Sequence, residues 1–319
     1  MSLFSKSSPF LAKLTKPDAF LLSGRIDRWR WPWALIGTIL FVIGAFAIPY
    51  LILSLTGMMV EGSTHDYYKN MLPGELAVFA VIGMAFIVPA FAVTRIVHGH
   101  SPLFLLGTDK CFHPGDFIRA VSAFLLFTAI FFGLSILTDG YNSTYHPKTT
   151  SHVFLLLLAS VIIFLQALSE EIFFKGYLSR IWGAVFPFKS VIVFGVALFF
   201  IYGHWNNEDF SADLIGNAVY FFFKQIITFH IFFRTQNISA TCGFHWANNI
   251  WATCFFATDE KMSSLAFFTF PLATSSGFQD PLTVFLTFGP VILAWFALTW
   301  KRSPLYLKTV EERISKKGS

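Results

Sequence analysis

Charge is what this chain has least of. Its 319 residues hold 23 Lys and Arg and 18 Asp and Glu, 13% of the total, against roughly 25% in a soluble domain. With 55% hydrophobic residues, that deficit excludes a soluble globular domain carried on a single anchor and implies a polytopic membrane protein. Cysteine is sparse too. Cys111, Cys242 and Cys254 have no paired or metal-knuckle spacing, which argues against a disulfide framework and a zinc knuckle; Cys242 and Cys254 read as small core residues. No His-Glu-x-x-His, internal repeat or second soluble domain is visible. The net charge of +5 is no nucleic-acid footprint, because the basic residues gather at the ends of apolar runs and form no soluble face.

Those apolar runs are what the chain does have. A membrane helix needs about 20 mainly apolar residues, and eight candidates stand at 33–55, 76–96, 117–137, 153–178, 190–204, 214–233, 238–257 and 282–300. The stretch 265–272 is apolar but too short to span, as a re-entrant or interfacial piece would be. The expected fold is all-α, about eight transmembrane helices around a polar intramembrane cavity. Residues 1–30 form a basic N-terminal segment without the apolar core of a cleaved signal. Residues 31–302 form the membrane domain, with its motifs between 153 and 257, and residues 303–319 form a basic tail. Lys and Arg favour one side: both termini and the connections holding Arg95, Lys110, Arg119, Lys175, Arg180, Lys189 and Arg234 share it, so both termini should be cytosolic. Asn142-Ser-Thr and Asn237-Ile-Ser match the glycosylation pattern, but on this topology Asn237 faces the cytosol.

Against that background a few polar residues are misplaced. Glu170, Glu171, His204, His245 and Asn249 sit in or at the ends of apolar runs. An ionisable group there costs about 2.5–3.5 kcal/mol on insertion scales, so it faces a bundle interior and marks function. Two carboxylates, two imidazoles and a carboxamide can supply a base for water and donors for an oxyanion. His245 and Asn249 are four residues apart and project from one helix face. Glu170 and Glu171 point about a quarter-turn apart, so one can face the cavity while the other holds a neighbour or Lys175. Glu170 and His204 share a depth only if the fourth helix continues past Leu178, which would bring Arg180 near the headgroups. His230 has no partner motif and reads as a packing residue, and Lys224 as a snorkelling one.

Taken in order, Glu170-Glu171-x-x-x-Lys175, Phe200-x-x-x-His204 and His245-x-x-x-Asn249 resemble the motifs of the CPBP intramembrane proteases. That family includes type II CAAX prenyl proteases and bacteriocin-processing and immunity-type proteins. The resemblance implies that Glu170 takes a proton from water, His204 positions that water, and His245 and Asn249 donate to the oxyanion. It gives Glu171 and Lys175 supporting roles, with Lys175 standing where the family has Arg. An ammonium acts as a point charge where a guanidinium would clamp a carboxylate with two parallel bonds.

No cofactor is needed for that chemistry. A competing set, Glu170, His204 and His245, resembles the two histidines and glutamate of a catalytic zinc site. The implied partners are the lipid bilayer and a membrane-associated peptide or protein, prenylated or not, and no nucleic acid. Readings from other classes are a non-proteolytic regulatory or immunity scaffold, and a transporter with a Glu170–His204 proton relay; the latter would want inverted repeats, which the sequence lacks.

Overall fold

The computed structural model describes residues 32–55, 80, 83, 85–137, 144–147, 150–186, 188–205, 214–258, 266–270, 281–309 and 312–313. The helices are α1 (Trp33–Leu55), α2 (Ile87–Ile96), α3 (Pro114–Leu137), α4 (Thr150–Glu171), α5 (Ser179–Val185), α6 (Lys189–Gly203), α7 (Leu214–Thr235), α8 (Ser239–Ile250) and α9 (Pro281–Thr299). A 3₁₀ turn, Pro102–Leu105, leads toward α3. Two π-helical segments follow the motif helices: Ile172–Leu178 joins α4 to α5, and Trp251–Phe255 extends α8. Runs such as Val191-Ile192-Val193 in α6 are rich in strand-favouring residues yet helical, because an apolar medium leaves the backbone no hydrogen-bond partner outside its own segment.

Among the described residues, three stretches are long and apolar enough to cross a membrane: Pro114–Leu137, His152–Val185 and Leu214–Thr235. The apolar helices Trp33–Ile48, Ile87–Ile96, Lys189–Gly203 and Val284–Thr299 are shorter. The first part of the expected span 76–96 lies largely outside the described residues. The fourth helix does continue past Leu178: α4, the π segment and α5 run without a break, and 34 residues from His152 to Val185 at ~1.5 Å each reach about 50 Å, beyond the ~30 Å hydrocarbon thickness.

The fold is not wholly α-helical. Strands β1 (Thr144–Tyr145), β2 (Phe256–Thr258) and β3 (Phe268–Phe270) form a small sheet in the order β1-β3-β2. β1 is antiparallel and β2 parallel to β3, with Thr144 and Ala257 both opposite Thr269. The expected seventh span therefore gives way to strand at Phe256, and the short piece at 265–272 contributes a strand.

Of the apolar clusters among the described residues, the two larger ones hold most of the helices together. One joins α1, α2, the first π segment, α6 and α7 through Phe41, Phe173, Tyr177, Phe200 and Phe232. Phe173 stacks on Phe41 at 4.5 Å and on Phe86 at 4.8 Å between ring centroids. The other joins α3, α7, α8 and α9 through Phe124, Ile231, Phe244, Ala294 and Leu298. Gly243 sets the close approach of α8 to α3: a Cβ there would lie 2.4 Å from the Phe117 carbonyl oxygen, the small-residue contact that membrane helices use where burial between them brings no hydrophobic gain. Outward, Ile43, Phe46, Phe154 and Leu157 are exposed, as lipid-facing residues are.

The turn before α8 is pinned by Asn237, which is buried. Its Oδ1 accepts from the Ser239 amide at 2.8 Å and the Ser239 hydroxyl at 2.6 Å, and its Nδ2 donates to Asp109 at 3.0 Å and the Cys111 carbonyl at 2.7 Å. The glycosylation-like Asn237-Ile-Ser is thus a structural turn. The first part of the basic tail packs back on the bundle. Leu307 is buried, its amide donates to the Leu298 carbonyl at 2.9 Å, its carbonyl accepts from Arg234 at 3.2 Å, and Arg313 pairs with Asp116 on α3.

Candidate active site

α4 delivers Glu170 and Glu171 on successive residues at the entry to the π segment. A single π stretch changes the helical register locally and is common at functional sites. Here it turns Lys175 back onto Glu171 and packs Gly176 against the Leu105 carbonyl, where a Cβ would come within 2.6 Å. α6 ends at His204, and α8 carries His245 and Asn249 one turn apart, just before the second π segment. The Trp246 indole donates to the Ser160 carbonyl at 2.9 Å, tying α8 to α4 beside the motif residues.

The two glutamates have separate surroundings. Glu171 is buried and answered on both sides: the His245 Nδ1–H donates to its Oε1 at 3.1 Å, and Lys175 Nζ donates to the same oxygen at 3.0 Å. Lys175 Nζ also stands 3.0 Å from Oε2, as an ion pair outside hydrogen-bond alignment. A second Lys175 donor reaches Gln225 Oε1 at 3.4 Å. The ammonium at the family's Arg position thus acts as one point charge shared between Glu171 and α7. Glu170 is more open. Its Oε1 accepts a long 3.4 Å bond from Gln166, and its Oε2 lies 3.6 Å from His245 Nε2. That Oε2 is buried and has no hydrogen-bond partner among the described residues.

His204 is partly buried, held through Nδ1 by the Phe200 carbonyl at 2.8 Å, and sandwiched between the Phe200 ring at 4.3 Å and the Phe221 ring at 5.0 Å. Its Nε2 is the nitrogen left for other partners, and the Glu170 carboxylate is within electrostatic reach. Phe200 also faces His245, at 6.2 Å between rings. Asn249 is fixed through its neighbour: the Tyr220 hydroxyl donates to Asn248 Oδ1 at 3.0 Å, and Asn248 Nδ2 donates to Asn249 Oδ1 at 3.0 Å. The Asn249 amide N–H₂ group is then the end that can donate. Among the described residues no three His, Cys, Asp or Glu side chains gather as a metal-binding group; Glu170, His204 and His245 do not form one.

One expectation is corrected. Lys224 does not snorkel: it is 4% exposed, and its Nζ lies 4.8 Å from the Phe221 ring, within electrostatic reach of Glu170 and Glu171. Arg180 is enclosed by protein: it is fully buried, donates to the Gly176 carbonyl at 3.0 Å and stacks 3.9 Å from the Phe104 ring. His230 does pack: it accepts from the Trp295 indole at 3.0 Å. The sequence reading passed over Gln166, Tyr220, Gln225 and Asn248, and misassigned Lys224. A usable signal was present for three of them, since Tyr220, Lys224, Gln225 and Thr228 recur at helical spacing and give α7 a polar stripe.

Residues 150–251, from α4 through α8, match the family described as Type II CAAX prenyl endopeptidase Rce1-like. The matched region is about a third of the chain and contains all three motifs. No curated protein and no solved structure matches the chain.

Proposed function

We propose that this chain, similar over residues 150–251 to the Rce1-like CAAX prenyl endopeptidases, is an intramembrane endopeptidase. Its substrate is a membrane-associated or prenylated peptide, cut near the cytosolic face. About eight spans with both termini cytosolic complete the proposal, supported by the Lys and Arg bias. One observation carries the chemistry: a buried Glu170 carboxylate oxygen without a hydrogen-bond partner among the described residues, beside His245 and within the field of His204. An oxygen so placed is ready to accept a proton.

In the proposed reaction, Glu170 Oε2 takes a proton from water held by His204. The water oxygen bonds to the scissile carbonyl carbon, and the C=O pair moves onto oxygen. Asn249 N–H₂ donates to that oxyanion. His245 already donates its Nδ1–H to Glu171, so its Nε2 can donate as well only as the imidazolium, with Glu170 and Glu171 as its counter-charges. Collapse restores the C=O and breaks the C–N bond. The leaving amine takes the proton from Glu170, which returns to carboxylate. Lys175 and Glu171 hold His245 in orientation.

The test is cleavage of a mixed set of prenylated and unprenylated membrane peptides, in liposomes, by wild type and Glu170→Gln, with and without a strong chelator. Loss of a general base lowers the rate about 100- to 10,000-fold, and the chelator leaves wild type unchanged. Equal rates for the two proteins would refute the base assignment, and abolition by the chelator would shift the chemistry to a metal held by Glu170, His204 and His245. Absence of any cleavage would favour a scaffold.

A further inference from the structure

α7 brings a second buried ammonium into the site. Lys224 is 4% exposed and makes no hydrogen bond or ion pair among the described residues. It sits in a cage of three rings, 4.8 Å from Phe221, 5.6 Å from Tyr220 and 5.9 Å from Phe200. Rings at these distances stabilise a cation only partly, and a buried charge left without closer compensation is costly. A residue kept in that state has a use for its charge.

Its surroundings say which. Phe200 and Phe221 are the same two rings that sandwich His204, so one side of the cage is the water-activating side. Tyr220 begins the Tyr220–Asn248–Asn249 hydrogen-bond chain, so the other side is where the oxyanion donors lie. Glu171 already has Lys175 at 3.0 Å, and among the described residues Glu170 has no lysine of its own at ion-pair distance. The charged and titratable groups facing the ammonium are Glu170, Glu171 and Lys175 from the α4–π helix, His204 from α6, and the Tyr220 phenol from α7 itself.

We infer that Lys224 is a positioning residue whose ammonium balances the Glu170 carboxylate before proton transfer and the oxyanion after it. The inference rests on the endopeptidase reading. As the proton leaves water, one negative charge moves from Glu170 to the substrate oxygen, and the total charge of the site is unchanged. A fixed cation within electrostatic reach of Glu170 and beside the ring that opens the Tyr220–Asn248–Asn249 chain compensates both without reorganising, which is how preorganised charge lowers a barrier. Lys224 acts through these groups and bonds to neither in the resting enzyme.

The experiment compares wild type, Lys224→Met and Lys224→Arg on one cleaved peptide, made with a free C-terminal carboxylate and as its amide. Each protein's thermal midpoint is measured in the same detergent. The methionine variant lowers kcat about tenfold to a hundredfold, leaves KM within about twofold, and does so equally on acid and amide. The arginine variant recovers most of the rate. The methionine midpoint stays near wild type, because removing a buried ammonium held only by rings offsets the loss of a cation that Glu170 meets beyond ion-pair distance. Unchanged kcat overturns the inference. So does a KM increase confined to the free acid, which would make Lys224 an anchor for a substrate carboxylate, and so does a midpoint that falls with activity. A wild type that cleaves neither peptide overturns the endopeptidase reading and this inference with it, whereas full activity in Lys224→Met overturns the inference alone.

Discussion

Replacing Lys175 by methionine leaves Glu171 buried with one positive partner fewer. Both side chains are almost fully enclosed, at 1% and 2% exposure, so no water can take over from the lost ammonium. Breaking a buried pair by removing one member costs about 3–5 kcal/mol. His245 still donates to Glu171 at 3.1 Å, which places the expectation near the lower end, about 3 kcal/mol. For a chain of this size that lowers the thermal midpoint by about 5 °C. The assay is thermal unfolding in a mild detergent, run on Lys175→Met, Glu171→Gln and the double variant. Removing both charges leaves no buried orphan, so the double variant should recover about 2 kcal/mol relative to Lys175→Met, a coupling that a double-mutant cycle resolves. Lys175→Arg should stay within about 1 kcal/mol of wild type, since Glu171 and Gln225 both offer acceptors to a guanidinium. A Lys175→Met protein that melts with wild type, or a double variant no better than the single, would refute the argument that this pair holds the site together.

Two further substitutions test the scaffold. Gly243→Val should lose several kcal/mol of stability together with the activity, because its Cβ meets the Phe117 backbone at 2.4 Å and must push the His245 helix away from α3; wild-type stability in a thermal-shift assay would show that the helices do not touch there. Asn237→Ala should destabilise by about 2 kcal/mol, because its amide makes four hydrogen bonds at the start of α8; a midpoint unchanged from wild type would show that the turn is held by other means.

Much of the site was legible because membrane burial makes polar residues conspicuous. Glu170, Glu171, His204, His245 and Asn249 stood out from apolar runs; in the fold Glu170 and Glu171 lie beside His245, Glu170 is within electrostatic reach of His204, and Asn249 follows His245 by one turn of α8. The division of labour between the glutamates followed from their quarter-turn offset and from Lys175 four residues beyond Glu171, and the pair is there at 3.0 Å. Lys224 was misread for a physical reason. A lysine in an apolar helix can extend its stem to an interface or turn its head inward, and only the neighbouring helices decide which.

What the sequence determined by itself is what depends on local spacing and on the cost of charge in an apolar medium: the long helical runs, the shared face of His245 and Asn249, and the short list of polar groups that hydrocarbon will not accept. The tertiary structure alone decided the partners. The π segments that set the register after Glu171 and Asn249, the close approach at Gly243, the strands at Phe256–Thr258 and Phe268–Phe270, and the ring cage around Lys224 all arise from contacts between residues distant in sequence. Hydropathy says that a polar side chain must find company, but not which helix supplies it.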